Sequence, residues 1–253
     1  MILILESGNT TTNVVVYKNK QLLHKWKIVN EQINNEEDFK ITILNLLKVE
    51  EIEEKDIKIV LISSVVKKLT EMEENFCKKC NFKFLNIKNK DLKLNFDARE
   101  SLGADLVADI FAGIEKYKEN FIIIDMGTAT TFSIVGTKSK HLGEIFIAGV
   151  DTTLKALGNK CDLLPKIDIK EPKNLIGNTT EEAMLSGIYY GYIGIIKEIV
   201  NRVLKEVDVQ MEIILTGGYS SLFIDKLDFV TKVEENLTFE GIRLIYEKNK
   251  NII

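Results

Sequence analysis

Two short stretches carry the residue types of a phosphate-binding centre. Residues 2–17, ILILESGNTTTNVVVY, run from an apolar segment into Glu6, Ser7, Gly8, Asn9, Thr10, Thr11, Thr12 and Asn13. Residues 122–135, IIIDMGTATTFSIV, repeat that order with Asp125, Gly127, Thr128, Thr130 and Thr131. At one constant offset Glu6 pairs with Asp125, Gly8 with Gly127, Thr11 with Thr130 and Thr12 with Thr131. Glycine lets the backbone approach a phosphate closely, the turn's N–H groups point at it, and hydroxyls add donors. A carboxylate repels phosphate, so its use in such a turn is to hold Mg²⁺ or the water shell of that ion. Two such turns facing each other across a cleft would clamp a nucleoside triphosphate. A third turn, Gly217–Gly218 in ILTGGYSS, could let an adenosine lie flat against backbone. The chain has no G-x-x-x-x-G-K-[ST] phosphate loop.

The elements that must position these residues read as two rounds of one pattern. LILILES, NVVVY and LLHKWKI form a three-strand meander, followed by a helix over EEDFKITILNLLKV. A strand in IKIVLISSV, a helix over KKLTEMEENFCKK and a strand in FKFLNI come next. Leu102, Leu106, Ile110 and Ile114 recur every four residues and predict a helix over 101–117. The second round has the meander FIIIDMG, TTFSIVG and HLGEIFI, with TKSK as a turn. A helix over DTTLKAL, a long one over 180–207, the strand MEIILTGG and a last helix in LTFEGIRLIYEKN complete it. This predicts a duplicated α/β fold, divided into residues 1–117 and 118–253.

Composition narrows the field. Of 253 residues, 45% are hydrophobic and 28% charged, as in globular domains, and the net charge of −4 offers no electrostatic footprint for nucleic acid. No apolar run reaches membrane-spanning length, and no basic segment precedes Ile2, so a cytoplasmic protein with no membrane partner is expected. Cys77 and Cys80 form a lone C-x-x-C without companions at zinc-ligand spacing, and the odd total of 3 cysteines argues against a disulfide framework.

The three glycine turns, in this order, resemble the actin-like (ribonuclease H-like) sugar-kinase class, which implies a mixed five-stranded sheet in each half. GNT at 8–10, ISSVV at 62–66, LGAD at 102–105 and DMGTATTF at 125–132 further resemble type III pantothenate kinases. AMLSGIYYGYIG at 183–194, LTGGY at 215–219 and LTFEGIRLIYEKN at 237–249 follow in the same order. The resemblance implies ATP-dependent phosphorylation of pantothenate, the first step towards coenzyme A. It further implies a homodimer built on the long helix and requiring Mg²⁺ and a monovalent cation, K⁺ or NH₄⁺.

It also implies roles for single residues. Asp105 falls on the general base, and Asp125 on the monovalent-cation ligand. Thr128 falls against ATP, and Thr180 against substrate, with Phe96, Gly103, Ala104, Asp105 and Leu106 forming the substrate motif. From the residues alone, Asp105 reads equally as a helix-start carboxylate stabilised by the dipole.

Departures from the family pattern fall within these motifs. Glu6 stands for aspartate, Leu106 for arginine, Ser133 for aspartate, Ala148–Gly149 for Pro-Gly, Glu144 for a common glycine and Phe96 for tyrosine. Glu6 keeps the charge on a longer arm. Leu106 removes a cation, and Arg99 is the substitute nearest in sequence. Three readings follow: an active pantothenate kinase with an altered pocket, a non-catalytic nucleotide-binding paralogue, and a kinase for another small hydroxyl substrate.

Overall fold

A computed structural model describes residues 1–88, 90–97, 99, 101–161 and 163–251. Two compact units divide the chain: residues 1–112 together with 237–253, and residues 113–236. The break falls inside one helix. The last helix, however, returns to the first unit.

In the first unit, β1 (Ile2–Ser7), β2 (Thr11–Lys18), β3 (Gln21–Val29), β4 (Ile59–Ser64) and β5 (Phe84–Asn86) form a sheet in the order β3-β2-β1-β4-β5. β1 pairs antiparallel with β2 and parallel with β4, and β4 pairs parallel with β5. Both central strands are near-continuous apolar runs because helices cover the sheet. Helix α1 (Glu36–Val49) starts where the Asn35 side chain accepts from the N–H groups of Glu37 and Asp38. It buries Phe39, Ile43 and Leu47. Helix α2 (Lys67–Lys79) buries Leu69, Met72, Phe76 and Cys77 into the same core, which makes Cys77 a packing residue. Helix α3 (Ala104–Tyr117) begins in this unit.

The second unit repeats the plan. Its strands are β6 (Phe121–Met126), β7 (Ala129–Val135), β8 (His141–Ala148), β9 (Glu212–Thr216) and β10 (Lys232–Val233), in the order β10-β9-β6-β7-β8. β6 pairs antiparallel with β7 and parallel with β9, and β9 pairs parallel with β10. Strand for strand, this is the topology of the first sheet. Helices α4 (Val150–Lys160), α5 (Thr180–Val207) and the short α6 (Ser220–Phe223) belong to this unit, and α7 (Leu237–Asn249) to the first. Tyr189, Tyr192, Ile196 and Val200 of α5 pack into the core with Ile122, Ile124 and Phe132. The long helix ends at Asp208, a residue in the left-handed region at φ 53°.

The repeat departs from the single offset. Glu6 lies opposite Asn13 and Ser7 opposite Thr12, whereas Asp125 lies opposite Thr131 and Met126 opposite Thr130. The second turn is one residue shorter. Thr12 therefore corresponds to Thr130 and Thr11 to Ala129, and the threonine pairing expected from sequence slips by one. The turn closures agree: Gly8 N–H donates to Thr11 O and Gly127 N–H to Ala129 O, both at 3.0 Å.

Candidate functional site

Gly8 to Thr11 connect β1 to β2 and form the first candidate phosphate turn. Asn9 and Thr10 are exposed at its tip, while Ser7 and Thr12 at its base are buried. Asn30, just past β3, braces it from one side. Its Nδ2 donates to Gly8 O at 2.8 Å, its backbone N–H donates to Thr10 O at 3.0 Å, and Thr12 Oγ1 donates to Asn30 Oδ1 at 2.8 Å.

Glu6, at the end of β1, accepts a 2.6 Å hydrogen bond from Asn13 Nδ2. Burial pushes the Glu6 carboxyl up to about 7, Asp105 adds like-charge repulsion, and the Asn13 bond acts the other way. A buried acid raised by desolvation and by a second carboxylate is a site where a divalent cation would supply the missing counter-charge. No group of three or more His, Cys, Asp or Glu side chains among the described residues is placed to hold a metal ion by itself. A single carboxylate such as Glu6 would leave the other positions of a bound ion to phosphate oxygens and water, as is usual for Mg²⁺.

Asp105 stands in the first turn of α3, preceded by Gly103 and Ala104. Its Oδ1 accepts from Leu106 N–H at 2.8 Å. Burial raises its proton affinity, while backbone donors and Lys88 oppose the rise. A carboxyl so poised can take a proton from a hydroxyl, and geometry permits both the base reading and the dipole-stabilised one. At Gly103 an added Cβ would lie 2.3 Å from Asp105 Oδ1, so this glycine leaves room for the carboxylate. Leu106 is 5% exposed and belongs to the apolar face of α3. Phe96 is half-buried ahead of the motif. Lys88, after β5, acts on Asp105, and its Nζ also donates to Leu102 O. Arg99 is exposed and holds the motif by its carbonyl, which accepts from Leu102 N–H at 2.9 Å.

In the second unit Asp125 ends β6 as Glu6 ends β1. Thr128 sits exposed at the tip of the shorter turn, and its carbonyl accepts from Gly149 N–H at 3.0 Å and Thr152 Oγ1 at 2.6 Å. Gly149 lies so close that a Cβ would be 2.3 Å from Gly127 O. Tyr192, from α5, donates its hydroxyl to Thr130 Oγ1 at the base of this turn and also contacts Ala148 O at 3.3 Å. Gly217 has φ +92°, and a Cβ there would lie 2.3 Å from Asp125 Oδ1 and 2.4 Å from Met126 N. The β9 turn thus lies directly against the β6 carboxylate, which brings two of the three glycine turns together. Gly218 has open space around it, and Thr180 is exposed at the first position of α5, where Thr179 caps the helix by accepting from Glu182 N–H at 3.2 Å.

Sequence reasoning missed Lys88, Asn30, Tyr192 and Glu73, a buried neighbour of Ser7. Glu73 alone left a readable trace. It sits four residues after Leu69 and three before Phe76, a charged residue on the apolar face of a helix.

A profile of the type III pantothenate kinase family matches residues 2–202. The type III pantothenate kinase of Citrifermentans bemidjiense is 32% identical, covering 99% of this chain and 100% of its own length. That of Halalkalibacterium halodurans is 31% identical over 98% of this chain and 100% of its own. Solved structures add the fold alone. The ethanolamine utilization protein EutJ of Carboxydothermus hydrogenoformans has a TM-score of 0.59 at 18% identity, covering 96% of this chain and 89% of its own. ADP-bound MreB5 of Spiroplasma citri has a TM-score of 0.51 at 14% identity, covering 99% of this chain and 98% of its own. The twin sheets are therefore the duplicated actin-like fold. With the profile covering most of the chain and relatives aligned from end to end, the chain belongs to the type III pantothenate kinase family.

Proposed function

We infer that this chain transfers the γ-phosphoryl group of ATP to pantothenate, forming 4′-phosphopantothenate. Family membership supports the reaction, and the observation that carries the chemistry is Asp105. It is a carboxyl of raised proton affinity at the start of α3, electrostatically coupled to Glu6 beside the first phosphate turn. Asp105 takes the proton from the primary hydroxyl of pantothenate as that oxygen attacks phosphorus. Most of the acceleration then comes from positioning and neutralised charge. The Gly8–Thr11 turn binds phosphate oxygens through backbone N–H groups and hydroxyls. Glu6 would hold Mg²⁺ or its water shell, and that ion, when bound with ATP, would supply neutralisation of the developing negative charge. In the second unit, Thr128 contacts ATP, Asp125 holds K⁺ or NH₄⁺, Gly217 and Gly218 lie along the nucleotide, and Thr180 meets substrate.

Lys88 takes the place of the cation that Leu106 removes. Support comes from its charge acting on Asp105 and its hydrogen bond to the Leu102 carbonyl, both within the substrate motif. A charge-assisted contact contributes about 1.5–3 kcal/mol, so Lys88→Met should raise the KM for pantothenate about 10- to 150-fold with kcat little changed. An unchanged KM removes Lys88 from the pocket.

The assembly is read as a homodimer. Gly187, Gly191 and Gly194 have open space where a Cβ would stand, and Tyr190 and Ile195 beside them are 37% and 45% exposed. These residues form a second apolar face of α5, opposite the buried one, that a partner copy would cover. Sedimentation at micromolar concentration should give a dimer, and a monomer would remove this reading. No helix among the described residues is long and apolar enough to cross a membrane. Dependence on ATP and K⁺ points to the cytoplasm. The function is tested by ADP release from purified protein in K⁺ buffer with Mg²⁺, with and without pantothenate. Turnover that ignores pantothenate would overturn the substrate assignment.

A further inference from the structure

Glu73 is fully buried on the sheet-facing side of α2, at 0% exposure. Its Oε1 lies 2.5 Å from Ser7 Oγ, and its Oε2 has no hydrogen-bond partner among the described residues. The contacts run on from Ser7. Ser7 Oγ is 2.7 Å from Thr12 Oγ1, and Thr12 Oγ1 is 2.8 Å from Asn30 Oδ1. Asn30 then donates to the carbonyls of Gly8 and Thr10. A buried acid is thereby joined to the Gly8 and Thr10 carbonyls of the first turn.

Counting hydrogens decides the state of that acid. The Glu73–Ser7, Ser7–Thr12 and Thr12–Asn30 contacts need three hydrogens, and the two hydroxyls supply two. If Glu73 is ionised, one close oxygen pair must meet lone pair to lone pair. Turning the Asn30 amide over would give Thr12 an N–H, but would set the amide oxygen against Gly8 O, 2.8 Å away. A protonated Glu73 supplies the third hydrogen, and the chain then runs in one direction from Glu73 through Ser7 and Thr12 to Asn30. Electrostatics agree. Burial pushes the carboxyl up to about 8, the Ser7 contact acts the other way, and Glu6 on β1 and Glu74 on its own helix reinforce the rise.

We propose that Glu73 is a positioning residue for the first phosphate turn, fixing its shape through Ser7, Thr12 and Asn30 from inside the core. The inference rests on reading that turn as phosphate-binding. A glutamine at 73 matches the carboxylic acid in shape and can donate an amide hydrogen to Ser7, whereas alanine cannot.

The test compares Glu73→Gln, Glu73→Ala and Ser7→Ala with the unaltered full chain. Amide exchange at Gly8 and Asn30, whose N–H groups bond within the turn, is read without nucleotide, and KM is read for ATP and for pantothenate. Glu73→Gln should keep the exchange protection and an ATP KM within about twofold of the unaltered chain. Ser7→Ala and Glu73→Ala should lose protection and raise the ATP KM about 3- to 10-fold, leaving the pantothenate KM unchanged. Ser7→Ala, a smaller change, carries the comparison should Glu73→Ala not fold. The proposal is overturned if Glu73→Gln is as impaired as Ser7→Ala, or if Ser7→Ala matches the unaltered chain. Failure of the unaltered chain to use ATP would sink the phosphate reading, while the exchange data would still decide whether Glu73 holds the turn.

Discussion

Between Ser7 and Thr12 the first unit uses four residues for its turn, and between Met126 and Thr130 the second uses three. The longer turn is braced from below by hydroxyls, an amide and a buried acid. The shorter one is braced by a tyrosine hydroxyl from α5, by the close backbone approach of Gly149 and by Gly217 against Asp125. Duplication has kept the sheet order and the strand-end carboxylate while the supports diverged. Topology is held by whole strands, whose apolar pairing tolerates no slip. A turn's underside needs only that its polar groups be satisfied, and many side chains can do that. The first unit combines a turn with Asp105 and a second acid. In the second unit a glycine contact closes on the acid.

If the chemistry belongs to the first unit, Asp105→Asn should lower kcat by about 10²–10⁴ while nucleotide still binds. Asp125→Asn should mainly change the response to K⁺ or NH₄⁺. Equal losses of kcat in both variants, or more than a tenth of activity left in Asp105→Asn, would break the comparison.

The glycines sharpen it next. Gly217→Ala places a Cβ at positive φ and into Asp125 and Met126, and should destabilise the second unit by about 1–3 kcal/mol in urea unfolding. Gly8→Ala meets only Thr11 O at 3.6 Å, so its stability cost should be about 0.5 kcal/mol or less, with any larger loss appearing as weaker ATP binding. Equal destabilisation by the two would show that the first turn needs glycine for its own backbone.

The third contrast is in pH. Glu6 and Glu73 have folded pKa values of about 7 and about 8, raised above the ordinary value of 4.5. Their stabilising contribution is fully present below that ordinary value and is lost as pH rises through 7 and 8. In the second turn, burial raises the Tyr192 hydroxyl further from neutrality, so it keeps its proton across this range. Trp26, the only tryptophan, lies in the first unit and reports its unfolding. Unfolding followed at Trp26 should become easier from pH 5 to 8.5, and less steeply so in Glu73→Gln. A flat profile would show that neither acid is held protonated.

Much of this architecture was legible because periodicity is strongest where elements are long. The helices at 36–49, 67–79, 180–207 and 237–249 carry apolar stripes that survive in the fold. β10, two exposed residues long, and α6, four residues long, offer no such pattern. The carboxylates and glycines were legible as types. The slip by one between the turns was not, because TTT and TATT align equally well until strand register is known. Lys88 and Arg99 are both cations close in sequence to Gly103–Leu106, and the action of Lys88 on Asp105 depends on the turn after β5, which local pattern does not place. Asn30 and Tyr192 reach their turns across 22 and 62 residues of chain, beyond any local signal.

The return of α7 to the first unit bears on how the chain is made. Leu237, Phe239, Ile242 and Ile245 are all buried, and Gly241 lies so near Ala108 that a Cβ would be 2.0 Å from its carbonyl oxygen. Until those last residues have left the ribosome, the first unit lacks part of its own core, although its strands were synthesised first. Residues 113–236 are contiguous and have no such wait. Synthesis from the N-terminus would therefore complete the later unit before the earlier one, a reversal of the usual domain order. A chain cut short at residue 236 would carry a finished second unit beside an unfinished first.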